Sequence, residues 1–105
     1  MVAAPYSETI TTAVGRPVDF ASGRSSVAIF NNSTETIFLG VDESLTTSNG
    51  IPLKAGQIIV FSRDFGDNPD LARYAVAASG SNNVRISEEF GVSLVELIEK
   101  NFKLK

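Results

Sequence analysis

Short apolar runs recur along this chain, and turn-forming residues separate them. The runs are rich in β-branched and aromatic residues and are flanked by Gly, Asn, Ser and Pro, which is typical of β-strands. We predict strands at residues 8–14, 25–31, 36–41, 57–62, 73–79 and 83–87. No helix-length segment separates these runs, so their spacing favours an all-β protein, an antiparallel β-sandwich of jelly-roll-like or barrel-like form, over a parallel sheet.

Two polar stretches have the composition of hairpin loops. They are "NNSTE" at residues 31–35 and "SGSNN" at residues 79–83, where Gly80 supplies a positive φ. We therefore expect the strands on either side of each loop to pair antiparallel.

The last fifteen residues have a different pattern. Ser93 and Glu96 have the spacing of a capping box, which predicts a short C-terminal α-helix that begins at Leu94. Its apolar positions fall on one stripe: Leu94, Leu97, Ile98 and Phe102. We divide this single domain into an N-terminal arm or edge strand at residues 1–20, a β-sandwich core at residues 21–90 and the helix at residues 91–105.

Composition narrows the classes of function. The 105 residues include no Cys and no His, which removes the commonest general base, thiolate nucleophiles and the usual zinc ligands. The net charge of -3 and the scattered Lys and Arg residues argue against a nucleic-acid surface. No apolar stretch has membrane-spanning length and no signal peptide is evident. We expect a non-enzymatic protein that is made in a cytosol, has no cofactor and binds neither nucleic acid nor membrane.

Two groups of acidic residues are candidates for a metal site or a pair of catalytic carboxylates. Asp64, Asp67 and Asp70 lie three residues apart, which does not match the alternate-residue ligands of a calcium loop. Asp42 and Glu43 are neighbours on an extended backbone, so their side chains face opposite ways. Ordinary turn chemistry and a solvated rim explain both groups better than a metal site or a pair of catalytic carboxylates, and we assign no catalytic, cofactor-binding or metal-binding residue.

The stretch "TTSNGIPLKAGQIIVF", residues 46–61, concentrates turn residues. We predict that Asn49 and Gly50 form a tight turn, with a positive φ at Gly50. Pro52 is expected at a strand edge, and Gly56 is expected where the chain re-enters the sheet. The role of these four residues is predicted to be structural.

This stretch also carries a resemblance to known proteins. The runs are Arg24–Ser26 before an apolar strand that ends in Asn31 and Asn32, "FLG" at 38–40, "TTSNGIPLKAG" at 46–56 and "YAVAASGSNNVRI" at 74–86. Together they resemble small β-sandwich modules of tailed bacteriophages, which occur as head decoration, head-fibre and tail-associated structural proteins. The resemblance covers about two thirds of the chain, and it is most specific in the Asn-Gly-Ile-Pro-Leu run.

The resemblance implies a component of the virion, made in the cytoplasm of a host bacterium. We expect a capsid decoration or cement protein that forms homo-oligomers and binds the major capsid protein or other virion proteins. Two alternatives are a tail or fibre-base component and, in another class, a carbohydrate-binding adhesion module. The subunit contacts are predicted in the N-terminal arm, at Thr9 and Thr11, and on the helix stripe formed by Leu94, Leu97, Ile98 and Phe102.

Overall fold

A computed structural model describes residues 5–90, which contain eight β-strands and one 3-10 turn. The strands are β1 (Tyr6–Ile10), β2 (Gly15–Val18), β3 (Arg24–Asn31), β4 (Ile37–Gly40), β5 (Ile51–Leu53), β6 (Ile58–Ser62), β7 (Arg73–Ala77) and β8 (Asn82–Phe90). The 3-10 turn, Arg63–Phe65, directly follows β6. None of the helical segments described is long and apolar enough to cross a membrane.

The eight strands form two four-stranded sheets. Sheet I has the order β1-β8-β3-β6 and sheet II has the order β2-β7-β4-β5, and every pairing is antiparallel. This strand order is that of a jelly roll, in which successive strands alternate between the two sheets except for β4 and β5, which are neighbours in sheet II. The predicted antiparallel sandwich is confirmed, and the predicted C-terminal helix lies outside the described residues.

The core lies between the two sheets and is aliphatic. Strand alternation turns one face of each strand inward, and eleven buried side chains form a single cluster there. They are Ile10, Val18, Val27, Ile29, Ile37, Leu39, Leu53, Ala75, Ala77, Val84 and Ile86.

The structure corrects two local expectations about strand pairing. Only the first part of the predicted strand at residues 8–14 lies in a strand, because β1 ends at Ile10, the chain turns at residues 12–13, and β2 begins at Gly15 in sheet II. The two predicted hairpin loops do not form hairpins, since each crosses from one sheet to the other. Gly80 does have the expected positive φ, of 74°. The turn chemistry was right, but the composition of a loop does not say whether it joins partners within a sheet or bridges the sandwich.

Asn49 and Gly50 form a turn, but not by the expected conformation. The Gly50 amide donates to the Thr46 carbonyl at 3.1 Å, and the Asn49 Oδ1 accepts from the Thr46 amide at 2.7 Å. Gly50 is not among the described glycines with positive φ, so that prediction is wrong. Glycine is needed here for space, because a Cβ would lie 2.7 Å from both Leu45 Cδ1 and Phe38 Cβ.

Pro52 and Gly56 lie where the sequence places them. Pro52 is the middle residue of β5, an outer strand of sheet II, where a missing amide leaves no ladder bond unmade. Gly56 has φ of 78°, and the Gln57 amide donates to the Lys54 carbonyl at 3.0 Å, which defines a type II turn. Gly56 and Gln57 both bond Asn31, so this turn enters sheet I through a glycine bulge.

Residues 41–50, which we name the covering loop, fold onto the outer face of sheet II. Leu45, in this loop, is 6% exposed although it lies outside the core cluster between the sheets. Gly50 packs between Leu45 and Phe38, which projects outward from β4. Val76, which lies opposite Phe38 on β7, is also buried. The covering loop thus gives sheet II a small second apolar layer.

A group of charged residues anchors one end of the sandwich. Arg24 is fully buried, and its Nη1 donates to Glu88 Oε1 at 2.6 Å, while its Nη2 donates to the Asp19 carbonyl at 3.0 Å and the Leu71 carbonyl at 3.1 Å. The Arg24 amide donates to Asp70 Oδ1, which also accepts from Arg63 at 3.1 Å. These contacts tie β3 and β8 to the segments that precede β3 and β7.

Candidate functional site

The outer face of sheet I carries an uncovered apolar surface. Strand register places Phe30 beside Ile58 and Ala28 beside Val60, and none of these four side chains belongs to the core cluster. Ile58 is 60% exposed and Val60 is 46% exposed, while Ala28 and Phe30 are half-buried. We name these four residues the apolar face.

Polar residues border the apolar face on one side. On β8, Arg85 lies beside Phe30 and Ser87 lies beside Ala28, and β1 continues the same surface with Ser7 and Thr9. The outer surface of sheet I therefore changes from apolar at β6 to polar and charged at β1. A contiguous apolar patch with a polar rim is typical of a protein-contact surface.

The free edge of β6 adjoins the apolar face. β6 pairs with β3 on one side, and no other strand within residues 5–90 pairs with it. β6 contains no charged residue and no proline. A strand edge of this kind exposes unpaired amides and carbonyls that another strand can bond.

Two open grooves lie away from the apolar face. The larger, of about 530 Å³, is lined by Val14, Gly15, Arg16, Glu43 and Tyr74. Hydrogen bonds from the Arg16 side chain, first to the Tyr74 hydroxyl and then to Asp19, raise the pKa of Arg16. The groove therefore presents an aromatic ring, a cation and a carboxylate to solvent.

The second groove, of about 360 Å³, lies where β1 of sheet I approaches β2 of sheet II. The Tyr6 hydroxyl lies 3.3 Å from both the Pro17 carbonyl and Glu88 Oε1, the carboxylate oxygen that also binds Arg24. Burial, and then the negative charge of Glu88, raise the pKa of Tyr6 to about 12. Glu88 Oε1 thus contacts both Arg24 and Tyr6, and the Tyr6 hydroxyl links sheet I to the Pro17 carbonyl of sheet II.

The acidic residues at 64–70 are not brought together. Asp67 Oδ2 accepts from the Ser62 amide at 3.0 Å, and Asp70 Oδ1 accepts from Arg24 and Arg63. Across residues 5–90 no group of three or more His, Cys, Asp or Glu side chains is placed to hold a metal ion. The space between the sheets is filled by aliphatic side chains, so it offers no donor set either.

The predicted contact residues fall in separate places. Thr9 is exposed on β1 at the polar side of sheet I, opposite Asn83. Thr11 follows β1, and its carbonyl accepts from the Ala77 amide at 2.9 Å, which links it to sheet II. The structure does not bring either threonine to the apolar face. Leu94, Leu97, Ile98 and Phe102 lie outside the described residues.

Sequence analysis did not single out the apolar face. The run "IIVFS" is apolar at its first four positions, which is typical of a strand buried on both sides, so the sequence gives no sign that Ile58 and Val60 are exposed. The sequence does show that this run lacks charged residues and proline. That absence indicates an open strand edge only once the strand order shows that β6 is an edge strand.

Comparisons with known proteins support the fold. No family model and no curated protein matches the chain. Among solved structures, an RmlC-like cupin protein from Desulfovibrio desulfuricans is similar, with a TM-score of 0.56 and 16% sequence identity over 81% of this chain and 69% of that protein. At this identity the likeness concerns architecture alone: the chain has the jelly-roll fold that cupins also have.

Proposed function

We propose that this chain is a structural protein of a tailed-bacteriophage particle, and most specifically a decoration protein that binds the assembled capsid. The sequence resemblance supports this proposal, and so does the jelly roll, an architecture that viral capsid domains use alongside lectins and cupins. The observation that carries it is the apolar face, where Ile58 and Val60 stay exposed on a rigid sheet.

The nature of that surface favours binding over catalysis. Its four side chains are aliphatic or aromatic and carry no group that transfers protons or electrons, but they offer area that becomes favourable to bury on contact. Strand positions fix their geometry without loss of backbone entropy on binding. Such a surface suits repeated docking onto a shell built from identical subunits.

The binding test uses purified heads and tails assembled without this protein. We expect the full chain to co-sediment with heads at a saturable ratio, and Ala28→Glu, at the centre of the apolar face, to lower affinity at least tenfold. Ala78→Glu makes the same chemical change in the exposed connection between β7 and β8 and should bind like the parent chain. Binding to tails alone would replace decoration by the tail or fibre-base role, and binding to neither particle would overturn the virion role.

The Arg16–Tyr74 groove favours a second candidate function, a carbohydrate-binding adhesion module. Sugar recognition commonly stacks a ring on an aromatic face and pairs its hydroxyls with charged groups, and Tyr74, Arg16 and Glu43 supply both kinds of contact. Titration calorimetry with neutral oligosaccharides of glucose, galactose and N-acetylglucosamine tests this function. Saturable binding that Tyr74→Ala abolishes would support it, and no heat of binding with any of the three would remove it.

A further inference from the structure

We propose that two copies of this chain pair through their β6 strands, so that the two copies of sheet I form one continuous eight-stranded antiparallel sheet. The inference concerns self-association in the absence of any capsid, and it does not depend on the proposed virion role. It rests on the hydrogen-bonding pattern of β6, on the chemistry of the four sheet edges and on the position of the apolar face.

The pairing of β3 with β6 shows which groups of β6 are free. Asn31 donates to the Gln57 carbonyl at 2.9 Å, so bonded and non-bonded positions alternate from there along the ladder. Ile59 and Phe61 direct their amides and carbonyls toward β3, whereas Ile58, Val60 and Ser62 direct theirs outward. The outward groups of Ser62 are occupied, because Asp67 accepts from its amide at 3.0 Å and donates to its carbonyl at 3.2 Å. Ile58 and Val60 therefore form the open part of the edge.

This open part is complementary to itself. In an antiparallel arrangement about a two-fold axis at Ile59, Ile58 of one copy lies opposite Val60 of the other, and the reverse pair follows by symmetry. All four residues then direct their backbone groups at each other, which allows four hydrogen bonds without any change in either strand. The contact is closed, so it produces a dimer and not a fibre.

The other described edges are protected against such pairing. β2 contains Arg16 and Pro17, β5 contains Pro52 and is only three residues long, and β1 carries Glu8. Charged residues, prolines and short length are the devices by which edge strands avoid pairing with another chain. β6 has five residues and none of these devices, which identifies it as the edge available to a partner.

The apolar face supports the same pairing. Ile58 and Val60 project from the outer face, next to Phe30 and Ala28, so joining the two β6 strands places the apolar faces of both copies side by side. Directly opposed β-branched side chains stabilise a strand pair. The combined patch spans the two-fold axis.

Sedimentation velocity of the full chain over a concentration series tests the dimer. The contact is at the small end of protein interfaces, so we expect dissociation constants on the order of micromolar. Ile58→Lys opposes Val60 of the partner with a charge and should weaken the dimer at least tenfold. Val41→Lys makes a similar change at a side chain 58% exposed, against 60% for Ile58, and should leave the dimer intact.

Disulfide cross-linking tests the register of the two β6 strands. Only the introduced cysteines can form a disulfide, because the chain has no native cysteine. Under a mild oxidant, an equimolar mixture of Ile58→Cys and Val60→Cys should form a disulfide-linked dimer several times more efficiently than either variant alone. Cross-linking confined to one variant by itself would overturn this register.

Two other results would overturn the pairing itself. One is a parent chain that stays monomeric up to about ten times the expected dissociation constant. The other is a dimer that Ile58→Lys and Val41→Lys affect equally. If the parent is monomeric and Ile58→Lys lowers its melting temperature while Val41→Lys does not, the face is covered by the chain itself and not by a second copy.

Discussion

The outer face of sheet II is covered by the chain itself, whereas the outer face of sheet I is exposed within residues 5–90. Sheet II is overlaid by the covering loop, whose Leu45 is 6% exposed, and both of its edge strands contain a proline. Sheet I has no such cover within residues 5–90, and it presents Ile58 and Val60 beside an edge without proline or charge. One jelly roll thus contains a face closed by its own chain and a face that stays uncovered within residues 5–90.

The difference arises in the two connections at the ends of β4 and β6. The chain leaves β4 through ten residues that fold back over sheet II before β5 begins. It leaves β6 directly into the 3-10 turn Arg63–Phe65, which stays at the end of the sandwich. Sheet I therefore depends on anchoring at its end, whereas sheet II depends on burial across its face. The following variants test this contrast, from the largest expected effect to the smallest.

Replacing Arg24, which anchors the end of sheet I, should lower the free energy of unfolding more than any other variant proposed below. Arg24→Met removes a fully buried cation and leaves the Glu88 carboxylate and four carbonyls without their donor, so we expect a loss of about 3–5 kcal/mol in the free energy of unfolding. Urea denaturation measures it.

Arg16→Met is the control for this loss, because the Arg16–Asp19 ion pair is exposed on both sides and should contribute little. Equal urea midpoints for Arg24→Met and the parent chain would show that the arginine does not anchor the sheet.

Most of the strands of the jelly roll could be predicted from the sequence, because a strand has a recognisable local pattern of β-branched and aromatic residues between turn residues. The runs at 25–31, 57–62 and 73–79 match β3, β6 and β7 within two residues at each end. The sequence did not predict β2 and β5, because "GRPV" and "IPL" are short and contain proline. The same two properties protect these edge strands against pairing with another chain. The local sequence indicates which segments form strands. Which of those strands lie at a sheet edge can be recognised only when the strand order is known.

The candidate site could not be predicted in the same way. Exposure of Ile58 and Val60 is a consequence of which strands lie beside β6, a relation between residues far apart in the chain. The buried role of Arg24 is similar, because a lone arginine before a strand gives no sign of the carbonyls at 69–71 that surround it. Glycine at position 50 was recognised as necessary, but the reason is a contact with Leu45 and Phe38 and not its φ.

Removing the cover from sheet II should have the next largest effect. Leu45→Ala deletes the buried side chain of the covering loop and should lower the free energy of unfolding by about 2–5 kcal/mol, toward the smaller value because a loop can partly relax. Leu71→Ala, at a side chain 39% exposed, should cost clearly less. If both variants unfold at the same urea concentration, the covering loop does not stabilise sheet II.

Gly50→Ala tests the fit of the same loop by addition instead of deletion. The new methyl group would lie 2.7 Å from carbon atoms of Leu45 and Phe38, and overpacking of this kind costs about 1–3 kcal/mol. Gly15→Ala in β2 is the matched control, because its Cβ would meet nothing within 4 Å and Gly15 does not have a positive φ. Thermal unfolding of the two variants should differ, and a Gly50→Ala protein as stable as Gly15→Ala would contradict the packing described for the loop.

The smallest expected effect concerns Tyr6, whose hydroxyl joins β1 of sheet I to β2 of sheet II. Tyr6→Phe removes the one phenol proton that the Pro17 carbonyl and Glu88 share as acceptors, so we expect a loss of about 0.5–1.5 kcal/mol at neutral pH. The pH dependence separates this loss from a packing effect.

Burial and the Glu88 charge raise the pKa of Tyr6 from 10.0 to about 12, so the folded protein keeps the phenol proton at pH values where the unfolded chain releases it. The resulting stabilisation is complete below pH 10 and is lost as the pH rises through 12. Other groups titrate in this range, and the difference between parent and Tyr6→Phe removes their contribution from the comparison. That difference in unfolding free energy should be constant from pH 7 to 9 and should shrink from pH 10 to 12. A difference that stays constant across the whole range would show that the Tyr6 hydroxyl does not join the two sheets in its protonated form.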